Sequence, residues 1–153
     1  MNKSAVTLIE LLVVLAVLGV LLSTAVALTR PSHTHRAAQA LRSAILWARA
    51  NAIWRGVSVA VIEGGDGFVV RSADEATAPC EAGREMARVR LSEHPGVVVG
   101  QGLPRGVVWL PNGSGRSCDG GGVISATVRL TDGRRAVNVV ISSLGRVRLE
   151  AVP

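Results

Sequence analysis

A continuous apolar segment from Val6 to Leu28 constrains this chain more than any other feature. Its 23 residues would span about 35 Å as an α-helix, which is enough to cross a bilayer. A secretory signal peptide, the main alternative, has an apolar core of only about 7–15 residues that ends at a small-residue cleavage site. Because helical periodicity continues beyond the segment, we expect a transmembrane helix. The short basic leader around Lys3 favours a cytoplasmic N-terminus.

A carboxylate, Glu10, stands at the start of this apolar segment, within Thr7-Leu8-Ile9-Glu10. At the bilayer centre an ionised carboxylate costs about 3 kcal/mol, and less near the end of a span. A lipid anchor gains nothing from such a charge. A glutamate that extends to the membrane edge is the alternative explanation. We interpret Glu10 as a residue that serves assembly with other chains.

The N-terminal segment resembles the class III signal of type IV pilins and type II secretion pseudopilins. The matching residues are Lys3, Thr7, Leu8, Ile9, Glu10 and the apolar run Leu11–Leu22. Ala5 stands where the family has Gly, and Val6 where it usually has Phe. The resemblance implies that prepilin peptidase cleaves between Ala5 and Val6 and methylates the new amine of Val6. Glu10 would then be the fifth residue, able to pair with the terminal amine of a neighbouring subunit at a lower cost than either buried charge alone.

A second helical pattern follows. Pro31 is predicted to kink or briefly interrupt the helix, and Gly56 is a natural stop after Arg55. The apolar residues between them fall at steps of three and four, while the arginines lie largely off this face. The apolar face consists of Ala37, Ala38, Leu41, Ala44, Ile45, Ala48 and Ala52. We therefore predict one long kinked helix whose second half needs a packing partner.

The remainder of the chain has strand and turn patterns. Predicted strands cover 57–62, 68–70, 87–91, 97–99, 107–110, 123–130, 136–141 and 146–149, with loops at 71–84 and 111–122. The clearest hairpin turns at Asp132-Gly133. A helix packed on an antiparallel β-sheet is an α+β fold. Trp47, Trp54 and Trp109 are predicted to pack at the helix–sheet seam, with ligand stacking as the alternative.

The predicted domains are a leader at 1–5, a transmembrane and assembly helix at 6–28, an amphipathic helix at 29–56 and a periplasmic β domain at 57–153. The end of the second helix (Ala48-Arg49-Ala50-Asn51-Ala52-Ile53-Trp54-Arg55-Gly56), the turn Pro111-Asn112-Gly113 and the segment Gly145-Arg146-Val147-Arg148 are similar to the GspH/FimT group of minor pilins and pseudopilins. The resemblance implies a structural subunit of a type II secretion pseudopilus or a type IV pilus, in contact with other pilins. It argues against an unrelated single-pass membrane protein.

The chain is basic, with a net charge of +6, which fits anionic partners. All but one of its basic residues are arginines, a skew that a GC-rich coding background would also produce. Arg146 and Arg148 point to one face of a predicted strand. Together with Arg134 and Arg135, and with Arg116 in the loop before them, they are expected to form a cationic strip along one end of the domain. In FimT-like minor pilins the Gly-Arg-x-Arg segment is linked to DNA uptake, so a pilus-tip DNA receptor is the second candidate function. The other explanation is that these charges protect an edge strand from aggregation.

The two cysteines, Cys80 and Cys118, fall in predicted loops of the periplasmic part. A disulfide suits that compartment and would contribute roughly 4 kcal/mol in the chain-entropy model; two free thiols are the alternative. The histidines and cysteines do not have the spacing of a metal site. No Ser/His/Asp, Cys/His or paired-carboxylate pattern indicates catalysis. We therefore expect neither enzyme activity nor a cofactor.

Overall fold

A computed structural model describes residues 8–28, 32–72, 80–103, 106–118, 122 and 124–152, with side chains in the first of these segments described for 8–21. The chain divides into two compact units at Pro31, and each is described by itself. The first contains helix α1, Leu8–Leu28. Judged on the described residues, no helix combines the length and the hydropathy that crossing a membrane requires. The predicted kink at Pro31 lies outside the described residues.

The second unit begins with helix α2, His33–Arg55. Ser32 caps its N-terminus, because the side-chain oxygen accepts a hydrogen bond of 3.2 Å from the backbone N–H of His35. Gly56 ends it with a left-handed φ of 66°. The face predicted to be apolar is buried along its length, at Ala37, Ala38, Leu41, Ile45, Ala48 and Ala52.

Within the part of the chain that the structure describes, nine β-strands form two antiparallel sheets. The first sheet has the order β3-β2-β1-β5-β6 and contains β1 (Val59–Glu63), β2 (Gly67–Ser72), β3 (Arg84–Arg90), β5 (Val107–Trp109) and β6 (Gly115–Ser117). The second has the order β4-β7-β8-β9 and contains β4 (Val98–Gln101), β7 (Ala126–Thr131), β8 (Ala136–Ile141) and β9 (Val147–Val152). A single turn of 3-10 helix covers Leu91–Glu93.

The core lies where α2 packs on strands of both sheets. Its largest fully buried side chains include Trp109, Phe68, Leu41, Ile45 and Leu130. The α+β prediction is confirmed, although the strands divide between two sheets where one was expected. Two pairings set this division: β5 returns to β1 and β4 to β7. Both connect segments far apart in sequence, so local patterns carry no trace of them.

Three local predictions were wrong. The predicted loop 111–122 contains strand β6, which exists because it pairs with β5. The predicted loop 71–84 is too long, since β2 extends to Ser72 and β3 begins at Arg84. Trp47 and Trp54 are 41% and 82% exposed, because they lie on the face of α2 that points away from the sheets; Trp109 is fully buried.

A disulfide joins Cys80 and Cys118, whose Cα atoms are 5.7 Å apart. Cys80 precedes β3 and Cys118 follows β6, the two edge strands of the first sheet. The disulfide therefore links the loops that adjoin the two edge strands of the first sheet.

Candidate functional site

The Gly-Arg-x-Arg segment begins in the turn between β8 and β9. Backbone hydrogen bonds close this turn: the N–H of Ser142 donates to the carbonyl of Arg146 at 2.9 Å, and the N–H of Gly145 donates to the carbonyl of Ser142 at 2.8 Å. The hydroxyl oxygen of Ser142 also accepts a hydrogen bond of 3.1 Å from the N–H of Arg146. The turn therefore has a defined shape before any partner binds.

Gly145 allows this turn to sit against the core. Its φ is +73°, a left-handed conformation that costs other residues free energy. A Cβ at this position would lie 3.0 Å from two ring atoms of Trp109, Cη2 and Cζ3, which is closer than the 3.5–4.0 Å optimum for carbon atoms. Both the backbone conformation and the packing require glycine here.

Arg49 of α2 also contacts this turn, on the same side as Trp109. Its Nη1 donates a hydrogen bond of 3.2 Å to the carbonyl of Gly145. Its guanidinium carbon lies 5.3 Å from the ring centroid of Trp109, within the range of a cation–π interaction. The buried Nε has no hydrogen-bond partner among the described residues. Arg49 thus links α2, β5 and the β8–β9 turn.

Sequence reasoning did not select Arg49 as a site residue. The signal was present, since Arg49 belongs to the helix-end segment that resembles the GspH/FimT group. Its spacing places it off the apolar face of α2, a position that is typical of a solvent-exposed charge. The fold brings it instead beneath the Gly-Arg-x-Arg segment.

An open depression lies between α2 and this turn, with a volume of about 730 Å³. It is lined by Leu46, Arg49, Ser142, Leu144, Gly145, Arg146, Val147 and Arg148. Arg146 and Arg148 are both exposed, on either side of the buried Val147. They therefore point to the same face, as their spacing predicted. The depression combines three arginines with leucine side chains on its walls.

Arg148 has an acidic neighbour on its own strand. Its Nε lies 2.8 Å from Oε1 of Glu150, with side-chain exposures of 70% and 44%. Ion pairs this exposed contribute about 0–1 kcal/mol, so an anionic ligand can displace Glu150 at little cost. The pair reduces the resting charge of the face without removing its capacity to bind anions.

The prediction that these arginines share one end of the domain is wrong. Arg116 lies on β6 of the first sheet. Arg134 and Arg135 lie in the β7–β8 turn, beside the end of β8 at Ala136, whereas Arg146 follows the opposite end of β8. The six residues of β8 separate the two pairs by about 20 Å. The cause is the antiparallel order of β7, β8 and β9, in which the turn before β8 and the turn after it lie at opposite ends of that strand.

Asp132 organises the distant turn that carries Arg134 and Arg135. Its Oδ1 accepts hydrogen bonds of 3.0 Å from the N–H of Arg134 and 2.7 Å from the N–H of Arg135, and its Oδ2 accepts one of 2.8 Å from the buried Thr34 hydroxyl. The N–H of Arg135, followed by that of Arg134 and the Thr34 hydroxyl, lowers the pKa of Asp132 below its ordinary value. This carboxylate therefore joins the first turn of α2 to the β7–β8 turn.

The assembly residues predicted from the sequence lie in the first unit. Glu10 is in the first turn of α1, where a negative charge also suits the helix dipole. Ala5 and Val6 lie outside the described residues. Among the described residues, no group of three or more His, Cys, Asp or Glu side chains is arranged to hold a metal ion.

Comparisons with known proteins cover nearly the whole chain. Residues 37–145 match the family model described as type II transport protein GspH, and residues 1–26 match the prokaryotic N-terminal methylation motif. The chain is 33% identical to a pilin-like protein, PilA1, of Thermus thermophilus, covering 98% of this chain and 100% of the relative. It also resembles the structure of the minor pseudopilin EpsH from the type 2 secretion system of Vibrio cholerae. That likeness has a TM-score of 0.55 at 14% identity, covers 78% of this chain and 98% of EpsH, and shows the fold alone.

Two family models therefore match consecutive parts of one chain, the methylation motif over residues 1–26 and the GspH model over most of α2 and strands β1 to β8. Members of this family are structural subunits and not enzymes. They associate with other pilins in a filament. The chain belongs to the GspH family and is a minor pilin or pseudopilin of a type IV filament system.

Proposed function

We propose that this subunit is processed at its N-terminus and then joins a filament through its first helix. Prepilin peptidase would cleave between Ala5 and Val6 and methylate the amine of Val6. The observation that carries the proposal is the methylation motif at residues 1–26 followed by a GspH domain at 37–145. The filament is a type II secretion pseudopilus or a type IV pilus.

Glu10 would supply the specific contact of assembly. After cleavage it is the fifth residue of the mature chain, in an apolar helix where an unpaired charge is costly. The methylated amine of a neighbouring subunit offers the opposite charge in the same environment, which lowers the cost for both groups. Neutral side chains at this position would keep the helix and lose the pairing.

Before assembly, residues 6–28 would anchor the subunit in the inner membrane as a single span. The short basic leader favours a cytoplasmic N-terminus, and the disulfide between Cys80 and Cys118 suits a periplasmic β domain. The inner membrane and the peptidase are therefore partners of the unassembled subunit.

A filament-incorporation assay tests this function. Cells would express wild type, Glu10→Ala, and the matched control Glu93→Ala, which removes an exposed surface carboxylate. Filaments sheared from the cells are probed for the subunit, and mass spectrometry of its N-terminus reports cleavage and methylation. We expect cleaved, methylated chain in every case, with normal incorporation for the control and at least a tenfold loss for Glu10→Ala. Equal incorporation of all three would contradict the role of Glu10.

DNA binding at the pilus tip is the second candidate function, and the depression beside the β8–β9 turn is the observation that favours it. Its lining contains three arginines and no carboxylate among the described residues, and the Arg148–Glu150 pair is weak. Guanidinium groups there would contact phosphates without reading bases, which makes binding sensitive to salt and insensitive to sequence.

Titration of labelled duplex DNA with the full chain in detergent micelles tests this candidate. The double variant Arg146→Ala with Arg148→Ala is compared with Arg84→Ala plus Arg90→Ala, an exposed pair on β3 with the same change in charge. If both site arginines contact phosphates, the salt slope of log K falls by about two for the first variant and stays near the wild-type value for the second. Equal slopes and affinities in both variants would remove the Gly-Arg-x-Arg segment from consideration.

A further inference from the structure

A stripe of apolar side chains on α2 is exposed to solvent. It consists of Leu46, Trp47, Ala50, Ile53 and Trp54, which recur at spacings of three, four and seven residues and so share one face of the helix. The exposed fractions of its four large side chains run from 40% at Leu46 to 82% at Trp54. This face points away from the sheets, so packing of the core does not explain it. Exposed apolar patches of this kind mark sites of contact with partners.

Arginines border the stripe on one side. Arg42 and Arg49 are seven residues apart and lie on the same flank of α2. Leu46 belongs to the stripe and also lines the depression that contains Arg49, Arg146 and Arg148. The stripe and the depression therefore form one continuous surface, apolar on one side and cationic on the other. We call it the α2 docking surface.

A second copy of this chain is a poor occupant for the α2 docking surface. Helix α2 contains four arginines and no aspartate or glutamate. Two such helices would match at their apolar stripes but would bring arginines against arginines, and like charges at an interface suppress association. Charge complementarity requires a partner that has carboxylates beside its apolar residues.

We propose that the α2 docking surface binds an amphipathic helix of a different filament subunit, whose apolar face is flanked by Asp or Glu residues. This inference rests on the filament function proposed above. It adds the chemistry by which the subunit selects its position among the other subunits of the filament. Trp47 and Trp54 are the anchors, since tryptophans dominate the energetics of interfaces. Arg146 and Arg148 meet the acidic flank and set the orientation of the helix.

Defined peptides test the charge requirement directly. Three synthetic amphipathic helices share one Leu/Ala face and differ only in flanking residues, which are Glu, Lys or Gln. Each is titrated into the full chain in nanodiscs, with empty nanodiscs subtracted, by calorimetry and tryptophan emission. We expect the Glu peptide to bind at least tenfold more tightly than the Lys peptide in 50 mM salt. The preference should shrink in 500 mM salt, and the emission should shift to the blue.

Variants separate the two halves of the surface. Arg146→Glu with Arg148→Glu should reverse the preference, so that the Lys peptide binds more tightly than the Glu peptide. Trp54→Ala should weaken the binding of the Glu peptide at least fivefold. The matched control Val98→Ala, which truncates a side chain that is 57% exposed on β4, should leave binding unchanged.

Several results would refute the proposal that the partner is a helix with acidic flanks. One is equal affinity for the Glu and Lys peptides. Another is self-association of the chain in sedimentation runs that Trp54→Ala abolishes, which would make a second copy the occupant. A third is a change in tryptophan emission with a 30-base-pair duplex or with anionic vesicles and none with the Glu peptide.

The filament function is measured separately, by incorporation of wild type and Glu10→Ala. Normal incorporation without peptide binding refutes the docking partner alone. Peptide binding without incorporation of the wild type refutes the filament function alone.

Discussion

Gly145→Ala tests whether the β8–β9 turn is held by close packing on the core. The substitution adds a single methyl group at a position with φ of +73°. That methyl carbon would lie 3.0 Å from Cη2 and Cζ3 of Trp109 and 3.1 Å from Nη1 of Arg49. Two separate costs follow, one from the backbone conformation and one from the contacts.

The backbone cost is that of a left-handed L-residue, about 1–2 kcal/mol. The packing cost arises because the ring of Trp109 must move by about half an ångström to restore normal carbon contacts. The ring cannot retreat freely, since Trp109 is fully buried and a Cβ at Gly115 would lie only 2.8 Å from its Cζ3. Overpacking of this kind costs about 1–3 kcal/mol. We therefore expect Gly145→Ala to lower the free energy of unfolding by about 2–5 kcal/mol.

Gly133→Ala isolates the packing contribution. Gly133 also has a left-handed φ, +82°, but a Cβ there would meet no atom within 4 Å. The two variants thus share the backbone cost and differ in the contacts. Urea unfolding of the full chain in detergent, followed by far-UV circular dichroism, should show Gly145→Ala to be less stable than Gly133→Ala by about 1–3 kcal/mol. Equal destabilisation would refute the claim that Trp109 and Arg49 confine this turn.

Three further predictions follow from single contacts. Because the pKa of Asp132 is lowered by the Arg135 and Arg134 N–H groups and the Thr34 hydroxyl, its contribution is complete above the ordinary value of 3.8 and is lost as the pH falls through the folded pKa below it. In acid titrations followed by circular dichroism, the Asp132→Asn variant should therefore lose less stability than the wild type over this pH range. Reduction of the disulfide between Cys80 and Cys118, at a sequence separation of 38, should lower stability by roughly 4 kcal/mol in the chain-entropy model. Urea unfolding midpoints with and without reductant measure this loss of stability. The double variant Cys80→Ala with Cys118→Ala should be insensitive to reductant. Arg49→Lys keeps the charge but loses the planar guanidinium over Trp109, so it should cost about 1–2 kcal/mol in the same urea assay.

Local signals in the sequence predicted the helices and the clearest hairpin. The end of α2 at Gly56 follows from a conformation that glycine adopts most readily, and β8 covers the predicted 136–141. Strand β6 escaped prediction because its three residues, Gly115–Ser117, have no apolar alternation and depend on pairing with β5. Long-range pairing of this kind leaves no local pattern.

The residue types of the candidate site could be predicted from the sequence, but their full spatial arrangement could not. Spacing alone placed Arg146 and Arg148 on one face, because adjacent side chains of a strand alternate. The separation of these residues from Arg134 and Arg135 follows from the strand order, because the turns before and after a strand of an antiparallel meander lie at opposite ends of that strand. The contact between Arg49 and Gly145 joins residues 96 positions apart, and it has no local cause that periodicity could reveal.

Two different physical requirements determine the residues of the Gly-Arg-x-Arg segment. Gly145 is determined by the core, because its φ and its contact with Trp109 exclude a side chain whatever the protein binds. Val147 is buried and is likewise determined by packing. Arg146 and Arg148 are exposed, and packing does not require a charge at either position. Loss of binding in a Gly145 variant would therefore report a displaced turn, whereas loss in the two arginine variants with unchanged stability would report a direct contact. Only the arginine variants can assign a ligand to this surface, and the same pair distinguishes DNA from an acidic helix, because charge reversal abolishes the first and redirects the second toward a basic peptide.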